Sequence, residues 1–450
     1  MIDVFLPTLH EGQLAAWDAT EGCRYVAVRC GRRWGKTMMA STMICDGAAR
    51  GENWGLFAPD YKITSETYRD IYEILGPITI SASKIDGVIR CVGGGRVDFW
   101  TLNNPRAGRS RKYHGVIIDE AAFAGPDMAD IWTKSIKPTL LDYKGVGWAL
   151  STPSGMDDEN WFYSICNQPD SEFVEFHAPT STNPYLPADE VAKLEHDNSP
   201  EVYRQEYLAE FVDWSGVAFF PLEKLLVPSG LLGPDGQVLM VPVPMPDRCD
   251  TVLALVDTAI KTGTEHNSTG VIWGSYNSLL QESPVNILDW DILQIEGARQ
   301  ADWLPSIYAR LEELARMCGA RYGSSGAIIE DKATGTVLIQ QATNLRQEGT
   351  NAPAFAIDSK LTAMGKDERA FAASKYIWRG DVKITDYAFN KTKVHKPAQN
   401  LPGVSANHLL KQVGGFRMGA KMKDGLDLLD CFCYLTLMTR GSNSGDRKGI

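Results

Sequence analysis

The chain has 450 residues, long enough for two or three domains that each hold a core of their own. At 44% hydrophobic and 22% charged it has an ordinary globular composition, and with no run of about 18 uncharged apolar residues and no charged-then-apolar leader, neither a membrane span nor a secretory signal is expected. The net charge of −11 argues against non-specific coating of DNA but leaves room for a locally basic groove, because partners respond to local potential.

Residues 24–180 alternate short apolar runs with helical stretches, the cadence of an α/β domain. Strands are expected over 24–30, 54–58, 97–102, 115–119 and 147–151. The turn "NPYLP" (183–187) breaks the pattern, and "ADEVAKLEHDNSPEVYRQEYLAEF" predicts a helical segment ending at Phe211. Residues 221–247 contain six prolines and predict an extended connector. A second cadence follows, with strands over 251–256, 270–274 and 285–290. The helix predicted over 301–318 puts Leu304, Ile307, Tyr308, Leu311 and Leu314 on one face. A strand over 326–330 and a C-terminal helix over 425–439 complete it, and the small, polar last residues are expected to be disordered. Nine cysteines, an odd number without a CxxC pair, predict reduced thiols placed mostly in the core.

The stretch "VAVRCGRRWGKTMMAS" (26–41) runs a β-branched strand into a loop with two glycines, then Lys36-Thr37 and a helix-compatible segment. That order suits a phosphate cradle, although only three residues separate Gly31 from Gly35 where the common form has four. In such a cradle backbone N–H groups at the helix N-terminus face the phosphates. Lys36 is placed to reach the β- and γ-phosphates and the Thr37 hydroxyl to ligate Mg2+. Read alone, the loop also fits an ordinary strand–turn–helix with a surface lysine. The segment "GVIIDEAA" (115–122) narrows that choice, because a buried strand delivers Asp119 to a Mg2+ shell and Glu120 to an attacking water. Loop and acidic strand in this order, about 80 residues apart, predict ATP hydrolysis.

Ahead of the loop, Gln13 in "HEGQ" is a candidate for the adenine edge. Ser151 and Thr152 in "ALSTPSG" are candidates for sensing the γ-phosphate and coupling hydrolysis to movement, against the alternative of a plain Ser/Thr-rich turn. Arg32 and Arg33 lie inside the cradle, where a guanidinium can stabilise charge on the transferring phosphoryl group. Arg106 and Arg109, with Arg111 and Lys112, form a basic stretch suited to a neighbouring subunit's nucleotide, to DNA, or to solvent.

The C-terminal half has no phosphate loop and no Ser/His/Asp set, but carboxylates close its apolar runs. They are Asp257 after "TVLALV", Glu330 and Asp331 in "GAIIEDKATG", and Asp424, Asp427 and Asp430 in "KDGLDLLDCFCYLTL". Crowded carboxylates repel unless cations neutralise them, and oxygen donors from two strand ends and a helix suit Mg2+ or Mn2+. Two such ions support in-line phosphodiester cleavage. Each carboxylate taken singly is better read as a capped or solvated strand end. Between Asp386 and Asp424 there is no carboxylate, while Lys391, Lys393, Lys396, Lys411, Arg417, Lys421 and Lys423 all fall there, an excess suited to a phosphate backbone or to solvent.

The order of "GRRWGKT", "VIIDEAA", "STPSG", "YRQEYLAEF", "IIEDKATG" and "LDLLDCFCYLTL" resembles the large terminase subunit of tailed bacteriophages, the motor and nuclease that packages DNA into a procapsid. The resemblance covers nearly the whole chain, and that family shares the short-spaced loop with an arginine directly after its first residue. It implies an α/β architecture with a P-loop (RecA/ASCE-like) ATPase domain over 1–182 and a small helical linker subdomain over 183–220. A proline-rich connector over 221–247, an RNase H-like nuclease domain over 248–438 and a disordered tail over 439–450 would follow. The nucleotide-binding set is then Gln13, Gly31, Arg32, Arg33, Gly35, Lys36, Thr37 and Asp119, of which Lys36, Thr37, Asp119 and Arg32 are carried over by position. By the same carry-over Glu120 becomes catalytic and Arg32 a candidate finger, while Arg106 or Arg109 is a candidate finger acting on a neighbour by its place in the basic stretch alone. Asp257, Glu330 and Asp427 become the metal triad, with Asp430 and then Asp424 as alternatives for the last position. There is one departure. Where the family commonly has a further aspartate, this chain reads "TEHNSTG" with Asn267, which leaves Glu265 or His266 to replace it.

The resulting expectation is a viral DNA-packaging motor subunit. It would use ATP and Mg2+ to move double-stranded DNA into a procapsid and cut concatemers at a two-metal endonuclease site, where Mn2+ is an alternative ion. The implied partners are a portal protein, a small terminase subunit and further copies in a ring on the portal, with a monomer in isolation left open; the implied location is the host cytoplasm. Two alternatives stand beside it: a helicase-like ATPase whose second domain binds DNA without cutting, and a structural or assembly protein with inert C-terminal carboxylates.

Overall fold

The apolar runs of the N-terminal half form one eight-stranded sheet in the computed structural model. The structure describes residues 4–233, 236–258, 268–278, 280, 284–294, 302–330, 334–347, 351–395, 403–418 and 426–441. Two compact units emerge. The first holds the residues up to Glu195 together with Pro200–Trp214, the second His196–Ser199 together with the residues from Ser215 onward. Among the described residues no helix is long and apolar enough to cross a membrane.

In the first unit the strands are β1 (Tyr25–Cys30), β2 (Asn53–Ala58), β3 (Thr79–Ser83), β4 (Val88–Cys91), β5 (Arg96–Thr101), β6 (Gly115–Asp119), β7 (Val146–Ser151) and β8 (Val174–Ala178). Their order is β3-β4-β5-β2-β6-β7-β1-β8. From β5 to β8 every neighbouring pair is parallel, and β3 and β4 are antiparallel additions at one edge. Helices Lys36–Ala49 and Tyr61–Leu75 help bury one face around Trp34, Met39, Ile44 and Tyr68. Trp132, Trp161, Phe162 and Phe173 cover the other. Burial on both faces explains why β2, β6 and β7 read as unbroken apolar runs. Strand β7 lies between β1 and β6, so the glycine loop, Ser151 and Asp119 all leave the sheet at its carboxyl edge, where open parallel sheets bind ligands.

Two expectations need correction. The helical segment does not continue to Phe211: a helix spans Ala188–Asp197, a short one Pro200–Val202, and a π-turn Tyr203–Tyr207. Pro200 disfavours helical backbone at Ser199, and Ala209 adopts φ 56°, which ends any helical run before Phe211. The proline-rich stretch 221–247 is not a plain connector either. It contains a 3-10 turn, Leu222–Leu225, and an antiparallel ribbon of β9 (Val227–Leu232) and β10 (Val238–Val241). A two-stranded ribbon is all edge, so Pro228 is tolerated in it without a ladder N–H.

The second unit is built on β11 (Thr251–Thr258), β12 (Ser268–Tyr276), β13 (Val285–Gln294), β14 (Ser324–Ile329), β15 (Ala354–Ala356) and β16 (Val382–Ile384), in the order β15-β14-β11-β12-β13-β16. Strands β11, β12 and β13 form an antiparallel meander; β14 adds parallel to β11, β15 parallel to β14 and β16 parallel to β13. A last pair, β17 (Lys393–His395) and β18 (Val404–Ala406), stands apart. Helix Leu304–Met317 packs on one face against Val252, Ala254 and Val256. The C-terminal helix, Asp427–Gly441, packs against β11 and β12. Its seat is made by two glycines of β12. A Cβ on Gly270 would lie 3.0 Å from the Asp427 carbonyl carbon, and one on Gly274 would lie 2.7 Å from Leu435 Cδ2. Four strand residues span about 13 Å and eight helical residues about 12 Å, so helix and strand run in step over both contacts.

Gly270→Ala is therefore expected to destabilise the second unit by about 1–3 kcal/mol, because rigid backbone must give way. Gly274→Ala should be milder, since the Leu435 side chain can rotate. The urea midpoint followed by tryptophan fluorescence reads both; an unchanged midpoint for Gly270→Ala would mean that the helix is not seated on β12.

Candidate functional sites

Lys36 opens the helix that follows β1, and its ammonium turns back under the glycine loop. Nζ donates to the carbonyls of Cys30 (2.9 Å) and Gly31 (3.1 Å) and to Thr152 Oγ1 (3.1 Å). Burial lowers its pKa, opposed chiefly by the negative charge of Glu120. Thr37 Oγ1 donates to Asp119 Oδ2 at 3.0 Å across the carboxyl edge of the sheet. Burial and the neighbouring Glu120 push Asp119 up to about 6, while Thr37 and Lys36 pull the other way. Glu120 is only partly buried and sits at φ 51°, a left-handed turn directly after the end of β6. Ser151 Oγ accepts from the Ala122 N–H at 3.1 Å. The two hydroxyls that end β7 thus touch different parts of the site, Thr152 the lysine and Ser151 the acidic turn.

The loop is held tightly from outside. A Cβ on Gly31 would lie 2.6 Å from the Tyr207 carbonyl and closer still to Thr180 Oγ1, so only glycine fits. Gly35 has φ 104°. Asn183 Nδ2 donates to the Arg33 carbonyl (2.7 Å) and Trp34 Nε1 to Thr182 Oγ1 (2.9 Å). The Arg33 side chain is exposed. Gln13, expected at the adenine edge, is buried with both ends of its amide engaged. Oε1 accepts from the His10 N–H (2.9 Å) and Nε2 donates to the Gly35 carbonyl (2.8 Å). In this structure it braces the loop. Arg106 and Arg109 are both exposed, and Arg109 Nε donates to Ser135 Oγ at 3.0 Å.

In the second unit β11 delivers Asp257 to the face covered by the C-terminal helix. Asp257 is buried and its Oδ1 has no hydrogen-bond partner among the described residues. Its pKa is raised by burial first, then by the charges of Asp430 and Asp427 and by a hydrogen bond with Glu330. Glu330 follows β14, and its Oε1 accepts from Tyr434 OH at 3.0 Å. Asp427 accepts from Ser268 Oγ; burial pushes it up to about 6, opposed first by Ser268 and then by Lys366. Asp430 differs from these three, because its carboxylate is ion-paired to Arg369 and to Lys366 (2.8 Å). Among the described residues no group of three or more His, Cys, Asp or Glu is arranged as a metal site. Glu265, His266, Asn267, Asp331 and Asp424 lie outside the described residues.

The basic stretch is less free than its sequence suggests. Lys391 Nζ donates to Asp289 Oδ1 (2.7 Å), a buried carboxylate also held by Arg310 (2.8 Å), and Lys393 pairs with Asp291. Arg417 bonds the carbonyls of Gly414 and Phe416 at 2.8 Å each. Lys396, Lys421 and Lys423 lie outside the described residues. Several residues at the sites carried no role in the sequence reading: Thr180, Gln205 and Glu206 at the loop, and Ser268, Lys366, Arg369 and Tyr434 beside the carboxylates. Glu206 had a signal, a carboxylate within the quoted "YRQEYLAEF"; Arg369, within "KDERAFAASKYIW", had none.

Residues 29–226 match the family model described as "Terminase large subunit, T4likevirus-type, N-terminal". Over these residues, somewhat under half of the chain, the sequence is similar to that family's N-terminal domain. The terminase large subunits of Thermus phage G20c and Thermus virus P23-45 are each 32% identical over 130 residues, 25% of this chain and 25% of theirs. The chain thus spans about a quarter of the length of the curated relatives it matches. The large terminase of a thermophilic bacteriophage superposes with a TM-score of 0.61 at 12% identity, covering 96% of this chain and 99% of that one. The likeness shows that the chain shares the fold of that protein, α/β in both units. That thermophilic phage protein has also been solved with ADP and with ATP-γ-S.

Arg369→Met is expected to lower stability by about 3 kcal/mol, because Asp430 would keep a buried charge with half its cations gone. Arg369→Met with Asp430→Leu should recover most of the loss in a denaturation series. Equal losses in the single and double variants would assign the effect to packing rather than charge.

Proposed function

We propose that this chain is the ATP-hydrolysing and DNA-cutting subunit of a viral DNA-packaging motor. The observation that carries the reading is the Lys36 ammonium buried under the glycine loop, with Thr37 on Asp119, where β1 and β6 end on either side of β7. The nucleotide complexes of the thermophilic phage terminase lend support. On this reading the ATPase domain is 1–182, a linker is 183–220, the proline-rich stretch is 221–247 and the nuclease domain is 248–441, the expected boundary at 438 moving because the helix Asp427–Gly441 runs past it, with Arg440 on Asp381; 442–450 would be a tail.

Lys36 would bind the β- and γ-phosphates of ATP by turning from the two carbonyls it now holds. The loop N–H groups, shaped by Gly31 and Gly35, would cradle the phosphates. Thr37 and Asp119 would hold Mg2+, which would neutralise phosphate charge. Glu120 would orient and polarise the attacking water, and Arg32 would stabilise the transferring group. Arg106 and Arg109 are both exposed, and Arg106 suits a neighbour's nucleotide better because Arg109 would first leave Ser135. Thr152 and Ser151 link lysine and acidic turn, a route by which loss of the γ-phosphate reaches both. DNA would be double-stranded, and the partners a portal protein, a small terminase subunit and further copies in a ring, in the host cytoplasm.

At the second unit the donor chemistry suits Mg2+ or Mn2+, because Asp257 keeps a buried oxygen without a partner beside carboxylates that repel it. Asp257, Glu330 and Asp427 would hold the ions, which supply charge neutralisation for phosphodiester cleavage. Asp430 would position the set through Arg369 and Lys366. A second reading, an ATPase that binds DNA without cutting, is favoured by those same two side chains, since Arg369 and Lys366 already supply positive charge next to the carboxylates.

ATP hydrolysis and cleavage of a supercoiled plasmid in Mg2+ and in Mn2+ test both readings. The parent should do both. Asp257→Ala should lose cutting and keep hydrolysis, and Lys36→Ala should lose hydrolysis by about 100-fold or more and keep cutting. A parent that hydrolyses ATP yet leaves the plasmid whole in both metals would transfer the case to the second reading.

A further inference from the structure

Arg32, inside the glycine loop, is held three times by residues that no motif reading assigned. Its N–H donates to the Glu206 carbonyl at 2.7 Å, its own carbonyl accepts from Thr180 Oγ1 at 2.8 Å, and its Nε lies 2.5 Å from Glu206 Oε2. The side-chain contact is one of charge rather than direction, since Glu206 Oε2 makes no well-aligned hydrogen bond. The two partners are also unlike: the Arg32 side chain is 61% exposed and that of Glu206 6%. Glu206 faces Gln205 Nε2 through Oε1 (3.2 Å) and lies in the field of Lys36 and Glu120.

A phosphate and a carboxylate compete for the same guanidinium, and Arg binds either in much the same way. Arg32 can swing without being drawn out of water, but Glu206 cannot follow it. We propose that Glu206 is a positioning residue that holds Arg32 on the Tyr203–Tyr207 turn in the nucleotide-free protein and competes with the triphosphate for it. The proposal rests on the nucleotide-site reading above and adds a competitor to it. When the triphosphate takes Arg32, a buried carboxylate loses its cation, a state that favours rearrangement of the turn. The backbone bond from Arg32 to Glu206 does not depend on the Glu206 side chain, so the loop keeps its anchor when that side chain is neutralised.

The test is equilibrium binding of a fluorescent ATP analogue to the full chain, to Glu206→Gln, to Arg32→Ala and to the double variant, with the thermal midpoint of each recorded. Glu206→Gln should bind about three- to fivefold more tightly than the parent, the scale of a partly exposed ion pair. The same substitution should change nothing in the Arg32→Ala background. Unchanged or weaker binding by Glu206→Gln, or an equal change in both backgrounds, would overturn the proposal and leave Glu206 a structural residue. A parent that binds no nucleotide, with Lys36→Ala indistinguishable from it, would overturn the nucleotide-site reading and this inference with it.

Discussion

Charge at the ends of buried strands must find a partner nearby, and both units are organised around that constraint. In the first unit Lys36 meets two carbonyls and a hydroxyl, and Asp119 meets Thr37 and the Glu120 N–H. An unpartnered ammonium at that depth would be strongly disfavoured. The loop is therefore closed on itself and ready for exchange, each contact of Lys36 being one that a phosphate oxygen can replace. In the second unit the same constraint is met unevenly. Asp430 has two cations, Asp427 a hydroxyl, and Asp257 keeps an oxygen with no partner among the described residues.

Backbone approach decides which charges share a site. Gly31 lets the loop lie against Tyr207 and Thr180, which brings Glu206 to Arg32. Gly270 lets the C-terminal helix lie on β12, which brings Asp427 beside Asp257, since Asp257 pairs with Gly270 across the ladder. Both glycines act by the absence of a side chain, at positions where neither needs a positive φ. The parallel sheet of the first unit gathers its site from strand ends that neighbour one another. The mixed sheet of the second gathers carboxylates from 257, 330 and 427, far apart in sequence, and needs the helix seat to do it.

Much of the fold was legible. The expected strands over 54–58, 115–119 and 147–151 fall within a residue of β2, β6 and β7, because strands buried on both faces leave unbroken apolar runs. The hairpin β3–β4 and strand β8 were missed, being edge elements with exposed, polar or mixed sequence that carry no such run. The long helix predicted to Phe211 failed at Pro200, where local backbone chemistry outweighed composition. Lysines 391 and 393, read as a basic stripe, are tied to Asp289 and Asp291 about a hundred residues away, and one-dimensional charge counting has no access to such pairs.

The sequence alone determined the local chemistry: a strand running into a glycine loop with Lys36 and Thr37, an acidic strand end, and carboxylates closing apolar runs. These follow from residues a few positions apart, where spacing and periodicity dictate backbone shape and side-chain direction. Only the tertiary structure decided that Gln13 braces the loop, that Glu206 holds Arg32, and that Asp430, unlike Asp257, is neutralised by Arg369 and Lys366. Each of those depends on burial and on a partner brought in by another segment of the chain. Electrostatic strength in a folded protein is set by depth and by the nearest opposite charge, and neither quantity exists until the chain has packed.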